Sequence, residues 1–178
     1  IGAILLRRRA RPPAARRRVC VLLMNAMGDV LMGTPLLRAL GQGLPGGQVD
    51  VVVLEQTAGL LEGFPGLDRI LRLPGHLRWR SPRSIWSYLG LLRELRARRY
   101  EAILDASRLL QSAWLAFLAR PERGVGLRIR RRLGPFRVAG LSPLYTHEVD
   151  VPGDLHMVRE NLALLHPLGV AAGSEVTS

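Results

Sequence analysis

The sequence predicts an α/β fold with one doubly wound, mostly parallel, Rossmann-like sheet and helices on both faces. Three observations predict it. Residues 19–24 (VCVLLM) form an unbroken apolar run. A half-exposed strand would alternate, so this run belongs to a strand covered on both sides. Strand-like and helix-like segments then alternate along nearly the whole chain, the signature of βαβ units. The chain also has 178 residues, enough for one sizeable core.

Taken in order, residues 1–17 carry two Arg triplets around Pro12 and Pro13. They read as an exposed basic arm, either a solvated tail or a tether to anionic lipid headgroups. The first strand covers residues 18–24. A tight turn follows over residues 25–28, where Asn25 and Gly28 would tolerate positive φ. A helix then begins at Asp29 and runs to about residue 40, with Pro35 in its early turns. Asp29 stands where an N-cap belongs, so it is either a plain cap or a carboxylate aimed into a cleft. On the local pattern alone the cap is the commoner choice. In open α/β sheets, however, this turn lies at the carboxyl edge, where ligands bind.

Residues 48–55 (QVDVVVLE) form the second strand, followed by a short helix over residues 56–62. Arg69–Leu73 alternates and suits a strand nearer the sheet edge. Residues 74–80 are a loop carrying His76 and Trp79. Residues 81–99 are the clearest amphipathic helix, capped by Ser81 with Pro82 first. Its apolar positions are Ile85, Leu89, Leu92 and Leu95. A fourth strand over residues 100–104 ends in Asp105, again just before a helix (residues 109–119). A short strand covers residues 124–127. Arg128, Arg130, Arg131 and Arg132 then form a basic loop, either solvated or an anion clamp. An extended THEVDV piece precedes a final helix over residues 155–168, capped by Asp154, with Leu155, Val158, Leu162 and Leu165 on one face. The domain therefore spans residues 18–170. Residues 171–178 are small and polar and read as the start of a linker, and both chain ends look cut.

The formal net charge is +12, and all 26 basic residues are Arg. Such a surface favours anionic partners, because guanidinium grips phosphate and carboxylate bidentately. Aromatics are only 5%, which offers few stacking platforms and disfavours a single-strand nucleic-acid binder. Cys20, the single cysteine, allows no internal disulfide and reads as core in a protein of a reducing compartment. No apolar run reaches the length of a membrane span.

The turn after the first strand, NAMGDVLMG, has neither a GxGxxG spacing nor a Walker lysine. It presents a carboxylate instead, which suits a base acting on a hydroxyl. His147, His156 and His166 show no i, i+4 pairing and no acidic cluster, so no metal site is expected. His156 either caps a helix or reaches a cleft. Trp79, Trp86 and Trp114 read as packing.

Several blocks resemble glycosyltransferase family 9, the ADP-heptose:lipopolysaccharide heptosyltransferases. They are GDVLMGTPLLRAL, VDVVVLEQTAGLLEGFPGLDRILRLP, LLRELRARRYEAILDAS and THEVDVPGDLHMVRENLALLHPLGV, in the family's order. The resemblance covers nearly everything after Arg17. It implies the N-terminal, acceptor-binding half of a two-domain GT-B enzyme, without the donor-binding domain. It implies that Asp29 is the general base of an inverting transfer that uses no metal or other cofactor. It also implies acceptor contacts from Asn25, Met27, Gly28, Asp105, Ser107, Arg108, Ser112, Arg130 and His156. Ser107, Arg108 and Gln111 depart from the family's usual residues after the fourth strand. The implied partners are a nucleotide-sugar donor, held by the missing domain, and an anionic glycolipid acceptor. The implied location is the cytoplasm, with peripheral contact at the inner membrane's cytoplasmic face. The other reading of the charge is a non-catalytic basic α/β module that binds nucleic acid or anionic membrane.

Overall fold

The computed structural model describes residues 17–78, 80–130, 142–152 and 155–171. Among them six strands form one sheet: β1 (Arg18–Leu23), β2 (Gln48–Leu54), β3 (Arg69–Leu73), β4 (Ala102–Asp105), β5 (Arg123–Arg130) and β6 (His147–Pro152). Their spatial order is β3-β2-β1-β4-β5-β6, and every neighbouring pair is parallel. The helices are α1 (Met27–Gly43), α2 (Glu55–Ala58), α3 (Pro82–Arg98), α4 (Leu110–Ala119) and α5 (Met157–Ala163).

The apolar run of β1 serves both faces of the sheet. Val19, Val21 and Leu23 join a core with α1, α2 and α5, while Cys20, Leu22 and Met24 join a second core with α3 and α4. Burying each such Leu contributes about 1.5–3 kcal/mol, which is why the middle of the sheet carries no alternation. The chain winds outward from β1 to β3, then returns to place β4 on the other side of β1. That reversal is a topological switch point, and its crevice opens at the carboxyl ends of β1 and β4.

Several elements differ from expectation. Helix α1 starts at Met27, two residues before Asp29, so Asp29 lies within the first turn and is not the cap. Ala26 takes the N-cap position in extended conformation (φ −65°, ψ 165°), and its carbonyl accepts from the Val30 N–H at 3.1 Å. With the entry made by an extended residue, neither Asn25 nor Gly28 needs positive φ, and neither has it. Pro35 lies deep inside α1. The Leu31 carbonyl that its missing N–H would have satisfied accepts from the Thr34 hydroxyl at 2.7 Å. Gly33 lets α1 approach β1 closely, since a Cβ there would come within 2.7 Å of Leu23 Cδ2.

Helix α3 is capped by Ser81 with Pro82 first, as expected. Its buried face is Tyr88, Leu91, Leu92 and Leu95. Leu89 points outward, because Tyr88 and Leu91 take the places against α4. Strand β5 extends to Arg130, so Arg128 and Arg130 are strand residues and not a loop. The neighbouring β6 provides the reason: its Glu148 and Asp150 neutralise Arg128 across the strands. Helix α5 is shorter than expected because Pro167 turns its end into a 3₁₀ segment, His166–Leu168. His156 caps α5, its Nδ1 accepting from the Val158 N–H at 3.3 Å. Of the expected arm, Arg17 is described and pairs with Glu101 at 3.1 Å. The rest of the arm, Trp79, Arg131, Arg132, Asp154 and the expected linker from residue 172 onward lie outside the described residues.

Candidate functional site

The β1–α1 and β4–α4 turns meet at the switch point and are tied to each other. The backbone N–H of Met24 donates to Ser107 Oγ at 2.7 Å, a buried bond between residues 83 positions apart in sequence. This bond fixes where β1 stops, and so where α1 begins. Asp29 follows in the first turn of α1, where a carboxylate interacts favourably with the unpaired N–H groups of the helix end. Asn25 Nδ2 donates to Asp29 Oδ2 at 3.0 Å. Among the described residues Asn25 is the one hydrogen-bond partner of this half-buried carboxylate. Beside it Met27 and Gly28 are exposed, and a Cβ built on Gly28 meets open space. The turn therefore presents one carboxylate oxygen at an open rim.

Asp105, at the end of β4, is arranged in the opposite way. It is 1% exposed. Its Oδ1 accepts from the N–H groups of Ser107 at 2.9 Å and Arg108 at 3.2 Å. Its Oδ2 accepts from the hydroxyls of Ser112 and Tyr145, both at 2.7 Å. Burial pushes the Asp105 carboxyl above the ordinary carboxylate range, and the four donors pull it back in part. Asp105, Ser107 and Ser112 are all buried. They brace the crevice, and the surface that an acceptor could touch comes from other residues.

Arg108 has positive φ (58°). Its Nη1 forms an ion pair with Glu160, a buried residue of α5. This pair joins the β4–α4 turn to the helix that His156 caps. The exposed His156 imidazole is thus committed at Nδ1 to the cap. The backbone of Arg130 stands opposite Pro152 at the end of β5, and its side chain is outside the described set.

Two groupings, one around Tyr145 and one around Gln111, were not visible in the sequence. Tyr145 covers Asp105, and it does so because its ring lies on Gly126 of β5, where any Cβ would overlap it. The isolated Tyr gives no local signal of this role. The second group centres on Gln111. Its Oε1 accepts from the Leu77 N–H at 2.8 Å and the Tyr88 hydroxyl at 3.1 Å, while its Nε2 pairs with His76 Nδ1. Burial raises the Tyr88 hydroxyl to about 12. Gln111 thereby pins the loop after β3 to the start of α4. Among the described residues no group of three or more His, Cys, Asp or Glu side chains is placed to hold a metal ion. None of the described helices is long and apolar enough to cross a membrane.

The comparisons with known proteins agree with this architecture. The model of glycosyltransferase family 9 (heptosyltransferase) matches residues 88–176. Lipopolysaccharide heptosyltransferase 3 of Escherichia coli is 24% identical over 147 residues, covering 83% of this chain and 42% of that protein. Lipopolysaccharide heptosyltransferase 1 of Pseudomonas aeruginosa is 29% identical, covering 84% of this chain and 49% of that protein. The chain therefore spans about half the length of these relatives. The structure of the E. coli heptosyltransferase WaaC with ADP superposes with a TM-score of 0.72 at 26% identity, over 88% of this chain and 49% of that one. E. coli ADP-heptose lps heptosyltransferase II superposes with a TM-score of 0.64 at 20% identity, over 83% of this chain and 39% of that one, a likeness of fold. The doubly wound sheet matches about half of each of these structures, and the chain belongs to glycosyltransferase family 9.

Proposed function

We propose that this chain is the N-terminal, acceptor-binding half of an inverting glycosyltransferase. In this reading it moves a heptose from ADP-heptose to an anionic lipopolysaccharide-core acceptor at the cytoplasmic face of the inner membrane. Residues 18–170 form the acceptor domain, residue 171 begins the linker, and the donor is held by a second domain. The observation that carries the reading is the Asp29 carboxylate, held at Oδ2 by Asn25 on the open rim of the switch point. Family membership and the relatives named for ADP and heptosyl transfer support it.

The chemistry follows from that placement. Asp29 takes the proton of an acceptor hydroxyl as its oxygen attacks the anomeric carbon from the face opposite the nucleotide. The new C–O bond forms while the bond from the anomeric carbon to the phosphate oxygen breaks. ADP leaves with that electron pair, and the proton ends on Asp29. Asn25 keeps the carboxylate in one orientation, which is a positioning role. Met27, Gly28 and His156, all exposed, remain the proposed acceptor contacts, and Arg108 and Arg130 are proposed as further ones. Asp105, Ser107 and Ser112 act by bracing it.

The test is Asp29→Asn in the full-length protein. General base catalysis contributes about 10²–10⁴-fold, so kcat should fall by that factor with the fold intact. Undiminished sugar transfer would remove Asp29 from the mechanism. The chain by itself, without a donor domain, should transfer no sugar.

A further inference from the structure

Four large apolar side chains stand out of the first halves of α3 and α4. Trp86 is 72% exposed, Leu89 48%, Leu110 59% and Trp114 45%. They lie on two helices that pack into the same core. Trp86 and Leu89 are one turn apart on α3, and Leu110 and Trp114 are one turn apart on α4. The two helices are tied at this level by the Tyr88 hydroxyl on Gln111, the residues next to Leu89 and Leu110. The Trp114 ring is set edge-on against Phe117, with centroids 5.8 Å apart. Exposed apolar groups scattered singly are ordinary, whereas a contiguous patch marks a contact surface.

The charge around the patch has one sign. Arg78, Arg80, Arg83 and Arg93 are exposed before and along the first part of α3, and Arg96 and Arg120 are exposed at the far ends of α3 and α4. None of the six has an ion-pair partner among the described residues. Helix α3 contains one acid, the half-buried Glu94, and α4 contains none. A second copy docked here by two-fold symmetry would oppose arginine to arginine. An anionic bilayer suits both features. Trp and Leu sit at the boundary between headgroups and acyl chains, and arginine stems lie along apolar surface with their heads in the phosphate layer.

We propose that the outer face of α3 and α4 docks on an anionic lipid bilayer. This deepens the reading of a glycolipid acceptor. Both helices start from the carboxyl edge of the sheet, so the docked end is the end that carries Asp29.

The test is co-sedimentation of the full chain with vesicles of phosphatidylcholine containing about one quarter phosphatidylglycerol, without sugar donor or acceptor. Binding should fall at least about tenfold on pure phosphatidylcholine and weaken as salt is raised. The variant Trp86→Ala/Leu89→Ala/Trp114→Ala keeps every arginine and changes only exposed residues. It should lose at least about tenfold in binding with an unchanged melting curve. Arg83→Glu/Arg93→Glu should lose it independently. Tryptophan emission should be quenched by lipids with brominated chains. Equal binding by the triple variant, absence of that quenching, or a dimer that the triple variant dissociates while vesicles are ignored would each overturn the proposal. A failure here leaves sugar transfer by Asp29 untouched, and inactivity of Asp29 leaves vesicle binding untouched.

Discussion

Asp29 and Asp105 both lie where a buried strand passes into a helix, Asp29 in the first turn of α1 and Asp105 as the last residue of β4. They are opposite in the folded molecule. Asp105 is buried and accepts four hydrogen bonds from Ser107, Arg108, Ser112 and Tyr145. Among the described residues Asp29 accepts one, from Asn25, at an open rim. A carboxylate saturated by donors is a structural joint, because its lone pairs are already used. A carboxylate held at one oxygen has the other free to take a proton. The two turns also depend on each other, since Ser107 from the braced turn receives the Met24 N–H that sets up the presenting one.

The comparison is broken most severely by exchanging the two kinds of loss. Asp29→Asn should lower kcat by about 10²–10⁴-fold, or about 3–5 kcal/mol of barrier, while the melting temperature stays within a degree or two. Asp105→Ala should do the reverse. It strands four donors, two of them buried and two half-buried, so it should cost about 3–5 kcal/mol of stability and about 10 °C in melting temperature. Thermal melts of the two variants side by side check both. If Asp105→Ala melts like the parent, its bracing role is wrong.

Smaller changes sharpen the picture. Tyr145→Phe removes one of the four donors and should cost about 1–2 kcal/mol in urea unfolding. Gly126→Ala should cost at least as much, about 1–3 kcal/mol, because the new methyl expels the Tyr145 ring that carries the donor. If Gly126→Ala is neutral, the ring does not need that surface.

The smallest effect is the pH dependence. Burial raises the folded-state pKa of Asp105 above its unfolded value of about 3.9. The folded protein thus takes up the proton first. The stability contributed by this group is fully present below the unfolded pKa and is lost as pH rises through the folded one. Unfolding measured from about pH 4 to about pH 7 should show the parent losing stability relative to Asp105→Asn as pH rises. A constant difference would mean that the four donors fully offset burial.

Much of the fold was readable because its signals are local. The apolar run of residues 19–24 needs no partner to announce a strand buried on both faces. Ser81 and Pro82 begin α3 through their own backbone and side-chain chemistry. The alternation of Arg69–Leu73 correctly placed β3 at the sheet edge. Misreadings arose where a distant residue decides. Arg128 looked like part of a solvated loop because its neutralising Glu148 lies on another strand. Leu89 looked buried because the rotation of α3 is set by Tyr88, which bonds to Gln111 on α4.

The sequence by itself therefore determined the parallel sheet, its two covering layers, the family resemblance and the aspartates at the strand ends. Apolar periodicity and caps are properties of neighbouring residues, and they survive in the linear order. Tertiary structure alone decided which aspartate is used up and which is presented. That choice depends on how many donors converge on each carboxylate. The donors to Asp105 include the Tyr145 hydroxyl, 40 positions away and delivered by β5 and the segment before β6. No local pattern counts donors that only folding brings together.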